Sequence, residues 1–551
     1  MTERLARHAA LHPRRMLAIW GGIFVLSIAA NRASAPVRDH HRRKSHQRSG
    51  VGAGLRRDRR HLPPSNDFVN EVVLFRAPGR DVTADPEVRG EVERLAAALQ
   101  ATGRTQRVTT YYGSNDESLV SPDKDATVLT IGMGLDAEEG IEDVLEVVQQ
   151  ADRGPYEVSI TGEFTADKDL IDLSNKDLKE GELFFGLPAA LIVLLLVFGA
   201  VIASFVPLLL AIVSIAFALA LVAIVGQVWE VSFFVVNMLS GMGLALGVDY
   251  ALFIVSRVRE ERARGVEKVE AIAAAGRTAS RAVLFSGTAF VIALTGMLLV
   301  PDTILRSLAA GAVLVGITAV LAAMTLLPAV LSLLGDKVDA LRLPFVGNRS
   351  SSEGRFWGWV VSRVQRRPVI SLVAATAILV ALALPALDLR TGSAGVRTIP
   401  DGYASKDGFN ALERELGVGT VDSVQVVVEG ELDTRTSNGV RRLVEMLEND
   451  PAFRAPEVTE APGGDLALVE AQVRGDSRDE AAVRAVERLR DEVVPLAFPG
   501  SEARIYVTGE TAEIVDYNEL MAGWLPIVFA FVLGFSSDSY THLTLPTLCS
   551  V

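Results

Sequence analysis

Ser240-Gly241-Met242-Gly243-Leu244-Ala245-Leu246-Gly247-Val248-Asp249-Tyr250-Ala251-Leu252-Phe253-Ile254-Val255-Ser256-Arg257 is an apolar run with one acid inside it. Small residues recur every fourth position at Gly243, Gly247 and Ala251, so one face of a helix here lets a neighbouring helix approach closely. Asp249 stands eight residues before Arg257. At a rise of about 1.5 Å per residue that is roughly 12 Å inside a membrane boundary, too deep for the side chain to reach water. An ionised carboxylate there costs several kcal/mol unless it is paired or protonated, and a proton is the least costly neutraliser. Asp249 therefore reads as a buried acid that loads and releases a proton, with the Tyr250 hydroxyl as its hydrogen-bond partner. Ser286 lies a short way into the next apolar stretch and could meet the pair at similar depth, and Asn237 is a further polar group just upstream. The competing reading is an acid that stays protonated and is satisfied by a neighbouring hydroxyl.

The rest of the chain has the composition such a helix needs around it. Of 551 residues 49% are hydrophobic, and the mean hydropathy is +0.30, which places the chain with membrane proteins. A bilayer core of about 30 Å is crossed by about 20 apolar residues. Windows of that kind fall near 16–31, 184–203, 205–226, 232–256, 282–300, 307–334 and 368–388, and an eighth starts near Trp524 and stops after Phe535. Arg14 and Arg15 set the amino terminus on the cytoplasmic side. Alternation then puts two further basic segments inside, one with Arg257, Arg259, Arg262, Arg264, Lys268, Arg277 and Arg281, the other with Lys337, Arg342, Arg349, Arg355, Arg363, Arg366 and Arg367. The first of these, 257–281, reads as a solvated, lipid-facing amphipathic stretch. The net charge of −13 argues against a nucleic-acid partner. Cys549 is the single cysteine, which excludes an internal disulfide framework and a multi-cysteine metal site. No nucleophile-elbow, zinc-helix or phosphate-loop motif is present, so neither an enzyme nor a cofactor is expected.

Two acidic stretches, about 64–180 and 390–520, fall outside by the same alternation. The first reads as strand Val72–Phe75, a helix near Pro86–Ala101, strands Arg107–Tyr112 and Ala126–Met133, a helix near Ala137–Ala151 and strand Tyr156–Thr161. That order is β-α-β-β-α-β, the ferredoxin-like unit. The second repeats it with strand Val421–Glu429, a helix near Ser437–Asn449, strand Asp465–Val473, a helix near Arg478–Val493 and strand Arg504–Thr508. Thr161-Gly162-Glu163 and Thr508-Gly509-Glu510 mark the same junction in both, and Arg14-Arg15 and Arg366-Arg367 each precede an apolar span. Tandem halves of this kind are a transporter signature.

Gly243-Leu-Ala-Leu-Gly-Val-Asp249-Tyr250-Ala-Leu-Phe-Ile-Val-Ser-Arg257 resembles the signature of the MMPL family, a branch of the resistance-nodulation-division (RND) superfamily. Arg281-Ala-Val-Leu-Phe-Ser286-Gly287 and Leu326-Leu-Pro328-Ala support it, and the resemblance covers about 64–535. It implies a polytopic α-helical membrane protein with two extracytoplasmic α+β porter domains, in the bacterial inner (cytoplasmic) membrane, that exports lipids or other hydrophobic molecules by proton antiport. Its expected partners are that cargo, protons and membrane lipids, with room for a homo-oligomer. A non-transporting RND-like module, such as a protein-translocation accessory or a sterol-sensing-like protein, is the alternative.

The resemblance also implies a facing Asp-Tyr pair in a tenth helix. With the second half incomplete, the chain is expected to hold half of the relay and to be inactive alone. The expected divisions are a first transmembrane helix at 1–35, a first porter domain at 64–182, helices 2–6 at 183–335, a cytoplasmic linker at 336–367, helix 7 at 368–389, a second porter domain at 390–520 and the start of helix 8 at 521–535. All seven histidines lie in the first 61 residues or the last ten. The basic segment 36–63, which contains His40, His41 and His46, and the tail 536–551, which breaks an apolar helix, therefore read as out-of-frame sequence, and no metal site is expected in them.

Overall fold

A computed structural model describes residues 1–33, 70–134, 137–152, 154–229, 231–342, 352–385, 396–416, 423–461, 463–474 and 480–548. The segment 36–63 lies outside the described residues. The chain divides into two units, one of residues 1–46, 174–390 and 523–551 and the other of 47–173 and 391–522.

The first unit is helical. Six helices among the described residues are long and apolar enough to cross a membrane: Glu163–Phe198, Val201–Val225, Val235–Ala263, Lys268–Leu299, Thr303–Asp339 and Thr511–Phe535. A seventh counts if Gly358–Arg366 and Pro368–Ala383, bent by 104° from each other, are one span. Proline at the start of the second piece fits the bend, since it restricts the preceding residue, Arg367, to a non-helical backbone. The first expected span is helical over Pro13–Ala33, 21 residues, but is not among the six. The second ends at Gly199, which adopts φ +63° and closes that helix four residues earlier than the apolar window suggests. The last helix runs as Glu510–Leu548, so the backbone stays helical beyond the expected stop at Phe535.

Close helix approach is built on the glycine stripe. A Cβ on Gly247 would lie 2.6 Å from the Ala211 Cα, and one on Gly243 would lie 2.4 Å from Ile215 Cγ1 and 2.9 Å from Val315 Cγ2. Helix Val235–Ala263 thus packs through its smallest residues against Val201–Val225 and Thr303–Leu334. Polar clamps join other helices in the same bundle. The Trp20 indole donates to Thr325 Oγ1 at 3.0 Å, the Thr318 hydroxyl to the Ser214 carbonyl at 3.2 Å, and the Asn237 amide to Ser174 Oγ at 2.6 Å.

The basic segment 257–281 is not a lipid-facing stretch. An unforeseen helix, Thr2–Leu11, covers helix Lys268–Arg277, burying Ala271, Ile272, Ala273, Ala275 and Gly276. A Cβ on Gly276 would stand 2.8 Å from the Ala6 Cβ. The arginines are paired with acids: Arg277 with Glu3 at 3.0 Å, Arg259 with Asp339 at 2.8 Å, and Arg262 with Asp336.

The second unit holds two four-stranded antiparallel sheets. In the first, β1 (Glu71–Arg76), β2 (Thr105–Thr109), β3 (Ala126–Met133) and β4 (Glu157–Gly162) stand in the order β2-β3-β1-β4. Side chains alternate faces along a strand. Val73 and Phe75 accordingly face the core under helices Pro86–Ala101 and Ala137–Ala151, while Leu74 packs with Val128 and Leu412 on the other side. The expected strand Arg107–Tyr112 stops at Thr109, because the Thr110 hydroxyl caps a short turn at Tyr111–Ser114.

In the second sheet, β5 (Ser423–Glu429), β6 (Phe453–Glu460), β7 (Leu466–Val473) and β8 (Arg504–Thr508) follow the order β6-β7-β5-β8. Strand β6 was not expected. It is an edge strand with a register shift between Arg454 and Glu457, which is where a proline, here Pro456, is tolerated.

Helix Ala404–Leu416 was also unforeseen, and it covers the outer face of the first sheet at β4 and β1. A Cβ on Gly408 would come within 2.1 Å of the Ile160 carbonyl oxygen.

A direct check on the packing is Gly247→Val, expected to lower stability in detergent by about 1–3 kcal/mol, as overpacking does. Gly22→Ala, where a Cβ would meet nothing within 4 Å, should leave the unfolding temperature unchanged or slightly higher.

Candidate proton-carrying site

Helix Val235–Ala263 positions every sequence-predicted site residue except Ser286, and its rotation decides what each can do. Gly243, Gly247 and Ala251 are buried against neighbouring helices. Asp249 is two residues beyond Gly247, hence about 200° round a helix of 3.6 residues per turn. It therefore lies on the side away from the stripe, exposed on one line with Ala245 and Phe253. Its carboxylate thus faces out of the helix bundle rather than into it. Spacing sets how deep Asp249 lies in the apolar segment, but the packing of the other face turns its carboxylate outward. Among the described residues no hydrogen bond or ion pair reaches that carboxylate.

Tyr250 points the other way. It is 6% exposed and makes a side-chain hydrogen bond with Ser286 on helix Ala279–Thr295. Gly287 makes the approach possible: a Cβ there would lie 3.3 Å from the Tyr250 hydroxyl and 2.2 Å from Val320 Cγ2. Ser286 Oγ also donates to the carbonyl of Val283 at 3.2 Å, the usual habit of serine in an apolar helix. The structure thus brings Tyr250 and Ser286 together and leaves Asp249 apart from both. Asn237 belongs to a different contact, the clamp to Ser174.

Chemically, the arrangement offers one ionisable group on an open helix face and one phenol that fastens the same turn to the next helix. An acid so placed needs a proton or a polar partner wherever that face meets an apolar phase. No group of three or more histidine, cysteine or acidic side chains that could hold a metal occurs among the described residues. Removing only the phenol hydroxyl, with Tyr250→Phe, should cost about 0.5–1.5 kcal/mol of stability through the lost hydrogen bond. Gly287→Val should cost more, because its Cβ would run into Val320 Cγ2 and crowd the Tyr250 hydroxyl. Thermal unfolding of both variants in detergent checks the order.

Residues 53–371, more than half of the chain, match the profile of the MMPL family. The match begins inside the basic segment set aside at 36–63. A Streptomyces coelicolor protein named as a membrane protein is 30% identical over 568 residues, covering 100% of this chain and 75% of its own length. The mycolic acid-containing lipids exporter MmpL11 of Mycolicibacterium smegmatis is 34% identical over 359 residues, 63% of this chain and 37% of that protein. The heme uptake protein MmpL11 of Mycobacterium tuberculosis is 32% identical over 358 residues, 63% of this chain and 36% of that protein. The chain spans three quarters of the first relative and little more than a third of the other two. With its several apolar helices and this match, the chain is a multi-pass membrane protein that belongs to the MMPL family, a family of transporters.

Proposed function

We propose that the whole protein exports lipids or other hydrophobic molecules across the bacterial inner membrane, driven by protons that Asp249 takes up and releases. The observation that carries this reading is a lone carboxylate on the open face of an apolar helix whose opposite face is locked by Gly243 and Gly247. A permanent charge there is costly, and structural packing does not use the side chain. In this reading a further helix bearing a polar partner packs on the Ala245–Asp249–Phe253 line. Tyr250, held by Ser286, keeps the turn that carries Asp249 at fixed height and rotation. Protonation and release at Asp249 then change what that face can pack against, which is the two-state element a pump requires.

The two sheets act as porter domains on the outer side. Their element order, their antiparallel pairing and the strand orders β2-β3-β1-β4 and β6-β7-β5-β8 support a ferredoxin-like assignment for both. The amino terminus and the segment around Lys268–Arg277 pack together, in keeping with their basic residues lying on one, cytoplasmic, side. The mycolic acid-containing lipids exporter among the relatives supports a lipid cargo.

The test is transport of a fluorescent lipid by the whole protein in liposomes under an imposed pH gradient. Asp249→Asn should reduce proton-dependent transport to the level of empty vesicles while insertion and unfolding temperature stay as in the wild type. Undiminished transport would remove Asp249 from the mechanism.

A further inference from the structure

A second carboxyl, far from Asp249 in sequence and outside the apolar spans, is built into the first sheet. Glu71 opens β1 and is 0% exposed. Its two oxygens have divided partners. Oε1 accepts the backbone N–H groups of Phe164 at 2.7 Å and Thr165 at 3.2 Å, which are unpaired donors in the first turn of helix Glu163–Asp177. Oε2 lies 2.5 Å from the Thr165 hydroxyl. Gly162 makes room for this: a Cβ there would stand 2.5 Å from both the Glu71 Cδ and Oε2. The same Cβ would stand 2.3 Å from the Asn70 carbonyl oxygen, so backbone and carboxyl together leave room only for glycine here.

All three groups donate to the carboxyl, the Thr165 hydroxyl to Oε2 and the two amides to Oε1. A protonated Glu71 keeps the same contacts: its carbonyl oxygen accepts both amides, and its O–H donates to the Thr165 hydroxyl, which accepts as readily as it donates. One helical turn further on, Asp169 accepts the Ser405 N–H at 2.8 Å and hydroxyl at 2.6 Å, so the helix that Glu71 caps in turn caps Ala404–Leu416 on the same sheet.

The duplicated half shows that the fold does not require this carboxyl. Aligning Thr508-Gly509 with Thr161-Gly162 through the strand register places Val424 where Glu71 stands and Ala512 where Thr165 stands. Both are buried, at 2% and 0% exposed. An apolar pair closes the same junction there.

We infer that Glu71 and Thr165 form a proton-operated latch, closed when Glu71 is protonated, that fastens the first turn of helix Glu163–Asp177 to β1 and loosens when Glu71 ionises. Burial pushes the Glu71 carboxyl up to about 7, against the lowering effect of the Thr165 and Phe164 hydrogen bonds. The charge that acts on it among the described residues is Glu163 on the same helix, and its like sign also favours the protonated form. Strands β3 and β4 face Glu71 with Ile131 and Gly162, which carry no charge. Glu163 also acts on Glu513, which is not among the charges acting on Glu71.

The closed state holds the proton more tightly than an exposed glutamate of pKa 4.5 does, so the stability this gives is full below that value and is lost as pH rises through about 7. An acidic exterior closes the latch. The inference does not depend on Asp249.

The test is hydrogen exchange at the Phe164 and Thr165 amides of the full chain in detergent, corrected for intrinsic rates. Opening should rise at least about tenfold between about pH 5.5 and about pH 8.5, since each pKa unit is a factor of ten in the linked equilibrium. Glu71→Gln, whose amide can accept and donate as the protonated acid does, should stay protected and lose the pH step. The double variant Glu71→Val, Thr165→Ala, copying the other half, should fold and exchange without a step. Wild-type amides with no step between the two pH values, or a step that persists in E71Q or in the double variant, would overturn the latch.

Discussion

Close approach of helices at Gly247 is the constraint from which the rest of the membrane unit follows. With the Ala211 Cα only 2.6 Å from where a Cβ would be, helix Val235–Ala263 turns its glycine face to its neighbours. That rotation buries Tyr250, directs it to Ser286, and leaves Ala245, Asp249 and Phe253 facing outward. Dispersion between small-residue surfaces is the main attraction available between helices in lipid. The geometry of the one acid is therefore a consequence of where the glycines are.

The second unit shows how a duplicated frame carries different chemistry in its two copies. Both sheets use the same order of elements, and both bury valines of the central strand, Val73 in one and Val424, Val426 and Val428 in the other. Yet the glycine of the shared Thr-Gly-Glu junction answers different needs. Gly162 makes space for the Asn70 carbonyl and the Glu71 carboxyl, whereas Gly509 adopts φ +111°, which side-chain-bearing residues rarely do. One frame then holds a buried carboxyl and the other an apolar pair at the same site. A buried carboxyl costs stability when it ionises, and the other copy closes the same junction without one.

Much of this was legible in the residues. Strong periodicity placed most apolar helices and three of the four strands of the second sheet, and spacing alone identified the glycine stripe. Direction around the helix was not legible, because depth follows from counting residues to Arg257 while facing depends on which side its neighbours occupy. Strand β6 was hidden by Pro456 and by charges that only an edge position tolerates. Helix Ala404–Leu416 escaped notice because its partner, β4, is over two hundred residues away. Glu71 begins a strand after Asn70, where an acid reads as solvated. Only the comparison with Val424 in the repeat could have marked it.

The central claim is that Asp249 presents a protonatable carboxyl to an apolar environment from an open helix face. Labelling by a hydrophobic carbodiimide, which reacts with protonated carboxyls in apolar surroundings, tests it most directly when the adduct is located by peptide mass spectrometry of the membrane-embedded protein. The account predicts an adduct on Asp249 that fades as pH rises. An absence of adduct at Asp249 across the pH range, with other acids labelled, would contradict it.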